Sequence, residues 1–585
     1  MNSKNTDRLM RKVGVAVVTG ALLLAQVPVA AIAEEANNGQ APQSQDGGTP
    51  PEMPSGEGGP SNGGGDGQPG EPPDGNGGGM GAGGGMGGAN TMTFDYSGTY
   101  SGAVSADGES VSKEGESYEA TDSDVNAALA QNGGSLTLSD VTLTKYGDDT
   151  NGDNCNFYGL NSVLLAVGEA SSVTIQDSQL SATSEGSNGI FATDNATILA
   201  HNVSISTTAG NSRGLDATYG GTMLAGSVDI STKGDHSGGI ATDRGGGTIS
   251  LDGGSVSTEG SGSPILYSTG NIQVSNITGK ATGSQLVGME GLNTVIIRNS
   301  TLESTQTDKT ASDPVADGVI IYQSTSGDAE STTGETATFQ AIDSTLKSAI
   351  QSGSMFYLTN TSADVVLKNT TLDFDSNAAN LLYAAGNDSN NWGSAGSNGA
   401  TVKFTGIQQQ LNGNVVADTI SSVGLHLTDN TTWTGAASIE ENSAGSTSET
   451  PITVNVDATS TWVVTADSTV SALNVADGAK IVDAEGKTVT IVAAGQTVVS
   501  GDSDLTVTVT GVYSTSYNES SAGSESTDTI DRSAYTTAFG DDADGTARTT
   551  NNDSSTEAET ESTDSTTQTS WWDNLVAWFK GFFGL

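Results

Sequence analysis

The chain has 585 residues, with 20 Lys and Arg against 69 Asp and Glu, a formal charge of −49. That charge repels phosphate, so nucleic acid is set aside as a partner, while divalent cations and basic surfaces stay open. Aromatics are only 5%, which argues against a large globular α/β core, and a single cysteine, Cys155, excludes an internal disulfide.

The first 33 residues read as an export signal. Lys4, Arg8, Arg11 and Lys12 precede an apolar run at 13–27, and Ala31-Ile32-Ala33 forms a small-x-small cleavage site. The run is shorter than the ~20 apolar residues that a membrane-spanning helix needs. The expected location is therefore outside the cell or on its surface. Residues 34–90 are rich in Gly, Pro, Ser, Asn and Gln. Too little apolar surface is available there to offset the entropy of folding, and the segment reads as a disordered linker.

Residues 91–133 are expected to cap a folded region. Phe94, Tyr96 and Tyr100 suggest a strand or hairpin, and 122–130 either a short helix with Asp122 as N-cap or a first imperfect turn of the repeat. A repeat then governs the chain. Its apolar anchors are Leu143, Leu180, Ile205, Ile230, Val256, Gly279, Leu302, Leu346 and Leu372, with six of the steps between 23 and 26 residues. Two apolar positions precede most anchors by seven and five residues, as in Val173/Ile175 and Ile249/Leu251. An Asp or Asn usually stands three before the anchor: Asp140, Asp177, Asn202, Asn276, Asn299, Asp343, Asn369. A second short apolar run follows, often after Gly, as in Gly189-Ile190, Gly214-Leu215 and Gly239-Ile240.

A fixed period means stacked units, and alternation within each unit means strands. A unit of about 25 residues with two or three short strands is a rung of a parallel β-helix. The fold class is thus all-β, a right-handed parallel β-helix, with regular rungs over 134–400 and looser rungs over 401–512. Insertions at 145–157 and 306–317 fall between the strands of a rung, and others at 324–336 and 386–399 follow the second strand. Such loops are where binding chemistry collects in solenoids. Residues 513–570, dominated by Ser, Thr, Asp, Glu and Asn, read as a second disordered linker. The end of the chain, 571–585, is an amphipathic aromatic tail. Trp571, Trp572, Leu575, Trp578, Phe579, Phe582 and Phe583 share one half of a helical wheel, which suits a membrane interface or a protein partner.

Three polar features compete as sites. The Asp/Asn ladder reads as corner chemistry, because these residues tolerate left-handed turns and bond their own backbone. Asp149, Asn151 and Asp153 alternate like the first half of a calcium loop, though the Glu that would complete it is replaced by Leu160. Calcium is the one cofactor this raises; none is required. On the second strand, the period of two turns Asp216, Thr218 and Asp243 outward. With Arg213, Tyr219 and Arg244 they make either a carboxylate–guanidinium patch for a sugar or Ca²⁺, or a salt-bridge network that locks a face.

Several strings carry a resemblance: Asn154-Cys155-Asn156-Phe157-Tyr158-Gly159-Leu160-Asn161, then Ser212-Arg213-Gly214-Leu215-Asp216-Ala217-Thr218-Tyr219-Gly220-Gly221, Ala241-Thr242-Asp243-Arg244-Gly245 and Ser263-Pro264-Ile265-Leu266-Tyr267. Over roughly 91–511 the chain resembles adhesin-like right-handed β-helix proteins exported by anaerobic bacteria, and the resemblance implies the pectin-lyase-like fold. That fold hosts enzymes, adhesins and spikes alike. The hydrolase motifs the resemblance would imply, G-x-D-D, G-H-G and R-x-K, do not occur in the solenoid, and no motif selects a lyase base among Arg213, Arg244 and Lys145. The expectation is a non-enzymatic surface protein that binds carbohydrate or a host or bacterial surface along the solenoid flank. A polysaccharide lyase acting on acidic glycans is the alternative, and a plain stalk the third reading.

Overall fold

The computed structural model describes residues 93–324, 329, 336–389 and 392–540. The export signal, the first linker and the aromatic tail with Trp571, Trp572, Leu575, Trp578, Phe579, Phe582 and Phe583 lie outside the described residues. Within them the chain is the parallel β-helix that the period implies. One wall is a sheet of 13 strands that runs from Gly102–Asp107 to Ala437–Glu440. A second, longer wall takes the two apolar positions and the anchor of each rung. In the most regular rungs it is built from 11-residue strands such as Thr197–Thr207, Thr222–Thr232 and Thr248–Thr258, paired in parallel and in register.

The ladder residues explain how an 11-residue strand turns a corner. Asp140, Asp177, Asn202, Asn276, Asn299, Asp343 and Asn369 all have φ between 46° and 56°. This left-handed region is costly for most side chains but open to Asn and Asp. Their side chains also bond from rung to rung. Asn202 Nδ2 donates to Asp177 Oδ1 at 2.6 Å, and Asn369 Nδ2 donates to Asp343 Oδ1 at 2.6 Å. A second corner ladder uses serine. The backbone N–H groups of Ser187, Ser212 and Ser237 donate to the hydroxyls of Ser212, Ser237 and Ser263, each at 2.9 Å.

The aliphatic anchors from Leu143 through Ile205 and Val256, and then Leu302 and Leu346, are buried in one core. Each such aliphatic contributes roughly 2 kcal/mol by leaving water. Gly279 breaks the column for a local reason: a Cβ there would stand 2.7 Å from Leu302 Cδ2. Farther along, Phe339, Phe356 and Phe404 pack edge to face, at 5.7 and 5.3 Å between ring centres. In the looser rungs a third sheet appears, formed by Gln410–Asn412, Thr432–Gly435, Thr461–Val464 and Lys480–Asp483. Its echoing segments stack Trp433 on Trp462 inside the core at 4.6 Å, and each indole N–H donates to a backbone carbonyl one rung back.

Two sequence expectations need correction, and one open alternative is decided. Residues 122–130 belong to an imperfect first turn of the repeat and not to a helix. Asn126–Gln131 is a strand of the first wall, and with Ser110–Glu114 and Ser117–Ala120 the segment is already rung-like. Phe94, Tyr96 and Tyr100 form no strand or hairpin; they are irregular chain whose rings pack on the outside of the first wall. The linker expected from 513 does not begin there. Thr506–Ser514 is a strand of the second wall, and residues 515–540 fold back along that wall, ending in a helix, α1 (Ser533–Phe539). Polar composition misled here, because the strap is held by the solenoid's side chains and not by a core of its own. Among the described residues no helix is long and apolar enough to cross a membrane.

Candidate functional site

The outer face of the first wall carries the site residues. Its parallel register stacks Phe191, Asp216, Ala241, Tyr267, Gly288, Ile320, Tyr357 and Tyr383 in one outward column. The next outward column contains Glu290, Tyr322 and Thr359. Insertions border this wall: 145–157 and 306–317 enter its strands, and the described part of 386–399 follows one of them, while most of 324–336 lies outside the described residues.

The first insertion decides what the predicted patch can do. Gly152–Tyr158 forms a short helix that is laid over the wall. Asn151 is its N-cap and accepts from Asn154 N–H at 3.1 Å, and Gly159 ends it at φ 73°. Thr218 Oγ1 donates to the Phe157 carbonyl at 2.8 Å, and Asn188 Nδ2 donates to that of Cys155 at 3.1 Å. The guanidinium of Arg244 covers the Phe157 ring at 3.7 Å. Tyr158 stacks on Tyr219 at 5.6 Å with an angle of 4°, and Phe94 meets both rings edge-on.

Arg213, Asp216, Tyr219, Asp243 and Arg244 are thus brought together as the sequence suggested, but beneath a lid. Arg213 Nη2 lies 2.9 Å from Asp243 Oδ2, its Nε lies 3.6 Å from Asp216 Oδ2, and Nη1 donates to Asn156 Oδ1 at 2.8 Å. The Arg213 side chain keeps 11% exposure, and Asp216 keeps none. Burial holds the Asp216 carboxyl well above the usual range, against the pull of Arg213. The patch therefore works as an internal clamp that holds the helix to the wall, and the outward parity of Asp216 did not make it exposed. Cys155 is buried beside it, its thiol pushed up by burial and by Asp149.

The calcium-spaced triplet is divided among local tasks. Asn151 caps the helix, Asp153 sits in its exposed first turn, and Asp149 packs beside Cys155 and Gly186. Burial and the nearby Glu185 and Asp124 push the Asp149 carboxyl up. Among the described residues no three His, Cys, Asp or Glu side chains are grouped to hold a metal ion.

Beyond Arg244 the face changes character. Glu290, only 3% exposed, accepts from Tyr267 Oη at 2.9 Å and from Tyr322 Oη at 3.1 Å, and also from the Ser324 hydroxyl. Tyr322 stacks on Trp392 of the fourth insertion, with ring centres at 4.1 Å and planes at 10°. Tyr357 leans on Tyr383 at 5.8 Å, and Tyr383 Oη donates to Glu440 Oε2 at 3.2 Å. Tyr267, Tyr322 and Tyr383 keep partly exposed edges, while Tyr357 and Trp392 are buried beneath them. Burial and Glu290 raise the Tyr267 and Tyr322 phenols, so both remain protonated donors.

This row was missed in the sequence. The signal that finds it is register: Tyr267, Tyr357 and Tyr383 occupy the outward position that Asp216 marks. Two buried carboxyls were also missed. Asp313 is pushed up to about 7 by burial, and Asp317 well above its usual range by burial and by Asp313. At the other end of the wall, Phe94, Tyr100, Asp107, Gln131, Glu169 and Asp194 line a groove of about 660 Å³. Comparison of the chain with protein-family models and with curated protein sequences returned no match.

Proposed function

We propose that the protein is a non-enzymatic, exported or surface-held β-helix that binds carbohydrate on the outer face of its first wall, through the row Tyr267, Glu290, Tyr322 and Tyr383. One observation carries this reading: a carboxylate held by three hydroxyls, flanked by stacked rings with partly exposed edges, on a face bordered by inserted loops. Sugars are bound by such pairings, because ring faces cover their C–H surfaces while fixed acceptors and donors meet their hydroxyls. Glu290 holds the Tyr267 and Tyr322 rings in place, so their partly exposed edges offer a stacking surface without rearrangement.

The lyase reading is less well supported. Its candidate bases are already engaged: Lys145 is fully buried, Arg213 is clamped between Asp216 and Asp243, and half-buried Arg244 lies on Phe157. Calcium, if it binds, would need ligands beyond Asp149, Asn151 and Asp153.

Glycan-array binding followed by titration of the best ligand tests the proposal. Tyr267→Ala and Tyr383→Ala are expected to weaken binding by tenfold or more, while Asp153→Ala leaves it unchanged. No retained glycan, or equal affinity in the tyrosine variants, overturns the reading. Release of unsaturated uronides from polygalacturonate would favour the lyase.

A further inference from the structure

The second wall carries a different kind of surface. Its register aligns an outward column of Leu224, Ser250, Gln273, Ile296, Gln340, Val366, Thr405 and His426. All eight are buried, including the outward aliphatics Leu224, Ile296 and Val366. What covers this side is the strap 515–540, which runs back toward the early rungs.

The contacts read backbone more than side chain. Gln340 Nε2 donates to the Ser524 carbonyl at 3.1 Å, and its Oε1 accepts from Ser526 N–H at 2.9 Å. Gln273 repeats the pattern, donating to the Asp528 carbonyl at 3.1 Å and accepting from Ile530 N–H at 3.2 Å. Each side-chain amide thus bonds a carbonyl and an N–H two residues apart, as a neighbouring β-strand would. Arg298 Nη2 donates to the Ser526 carbonyl at 3.1 Å, and Thr405 Oγ1 accepts from Gly523 N–H at 2.8 Å.

Side chains add selection at several points, among them Arg532, whose Nη1 donates to Ser250 Oγ at 3.0 Å. Lys368 pairs with Glu525 at 2.7 Å. A Cβ on Gly523 would stand 2.7 to 3.0 Å from Asp364, Val366 and Thr405. A tyrosine anchors each end: Tyr517 Oη lies 3.0 Å from His426 Nδ1, and buried Tyr535 Oη lies 2.7 Å from His201 Nδ1. Two of the chain's three histidines are used this way.

We propose that this column is a peptide-binding track for an extended acidic segment, that residues 515–540 are its resident ligand, and that the same segment of a second copy can take their place. A partner must present two tyrosines at the spacing of Tyr517 and Tyr535, a glycine opposite Val366 and an acid opposite Lys368. This chain itself supplies that pattern. Exchange between copies would link solenoids side by side, on a wall separate from the carbohydrate face, so either proposal can fail alone.

The test uses the full chain with a protease site placed at 515–516. After cleavage, a fluorescent peptide of residues 515–540 is expected to bind saturably and to release the resident strap. Gln273→Ala with Gln340→Ala should weaken it at least tenfold, with the melting of the remaining rungs checked separately. Tyr535→Phe, a milder change, should raise the off-rate. No uptake of the peptide, or equal affinity in the double glutamine variant, overturns the track. Two differently tagged intact chains, mixed at high concentration, should co-purify; tags that stay separate overturn the exchange between copies.

Discussion

At the scale of single residues, buried ionisable groups set opposing pH responses. Asp313 and Asp317 have folded pKa values above the unfolded carboxylate value, with Asp313 at about 7. The contribution of Asp313 is full below about pH 4 and is lost as pH rises through about 7, and that of Asp317 is lost in the same direction. Asp317→Asn is therefore expected to raise the melting temperature at pH 8 and to change it little at pH 4. An unchanged melting curve at pH 8 would show that these carboxyls are not strained. His426 has the opposite sign. Burial, and then Lys403, lowers it from 6.5 to about 4. Its contribution is full above pH 6.5 and is lost as pH falls through about 4, a difference of about 3 kcal/mol for a shift of that size. Denaturant titrations at pH 7 and pH 4 should show that loss in the native chain and not in His426→Gln.

The corner ladder belongs to the same scale. Asn202 pairs a φ of 50° with a bond to Asp177. Asn202→Ala should cost about 1–2 kcal/mol, since the left-handed conformation is unfavourable for Ala. Asn202→Gly should cost less, because Gly keeps the conformation and loses only the side-chain bond. Equal midpoints for the two variants in urea would contradict the backbone argument.

At the scale of elements, the two inserted or appended helices do different work. The helix Gly152–Tyr158 is a lid, and Arg213 is the pin that joins it to the wall through Asn156, Asp216 and Asp243. Arg213→Ala removes the cation that buried Asp216 and Asp243 face, a loss of about 3–5 kcal/mol. Adding Asp216→Asn and Asp243→Asn should recover much of it, which unfolding midpoints of the single and triple variants would reveal. A loss that the triple variant does not recover would mean that packing of the arginine stem dominates. The helix α1 (Ser533–Phe539), in contrast, is an end anchor whose Tyr535 and Phe539 rings close on His201. A seven-residue helix has little stability of its own, so its order depends on that histidine and on the rungs beneath.

At the scale of the whole molecule, one solenoid presents two differently used flanks. The first wall turns tyrosines and acids outward between inserted loops. The second wall turns amides and aliphatics outward beneath a strap. Both follow from parallel stacking, which repeats every outward position once per rung, about 4.8 Å apart. A row of like residues is thereby made from positions far apart in sequence, such as Tyr267 and Tyr383.

The sequence by itself determined the β-helix, its rung length, the inward columns and the Asp/Asn corners. Each of these is set within one rung by hydrophobic period and backbone preference, and is then copied. It also named Arg213, Asp216 and Asp243 as neighbours, because register follows from the period. Only the tertiary structure decided which outward residues meet solvent. Asp216 and Gln340 share the same outward parity as exposed positions elsewhere, yet one lies under a helix from an insertion and the other under a strap returning from the end of the solenoid. Where such segments settle depends on contacts across tens to hundreds of residues, which no local period records.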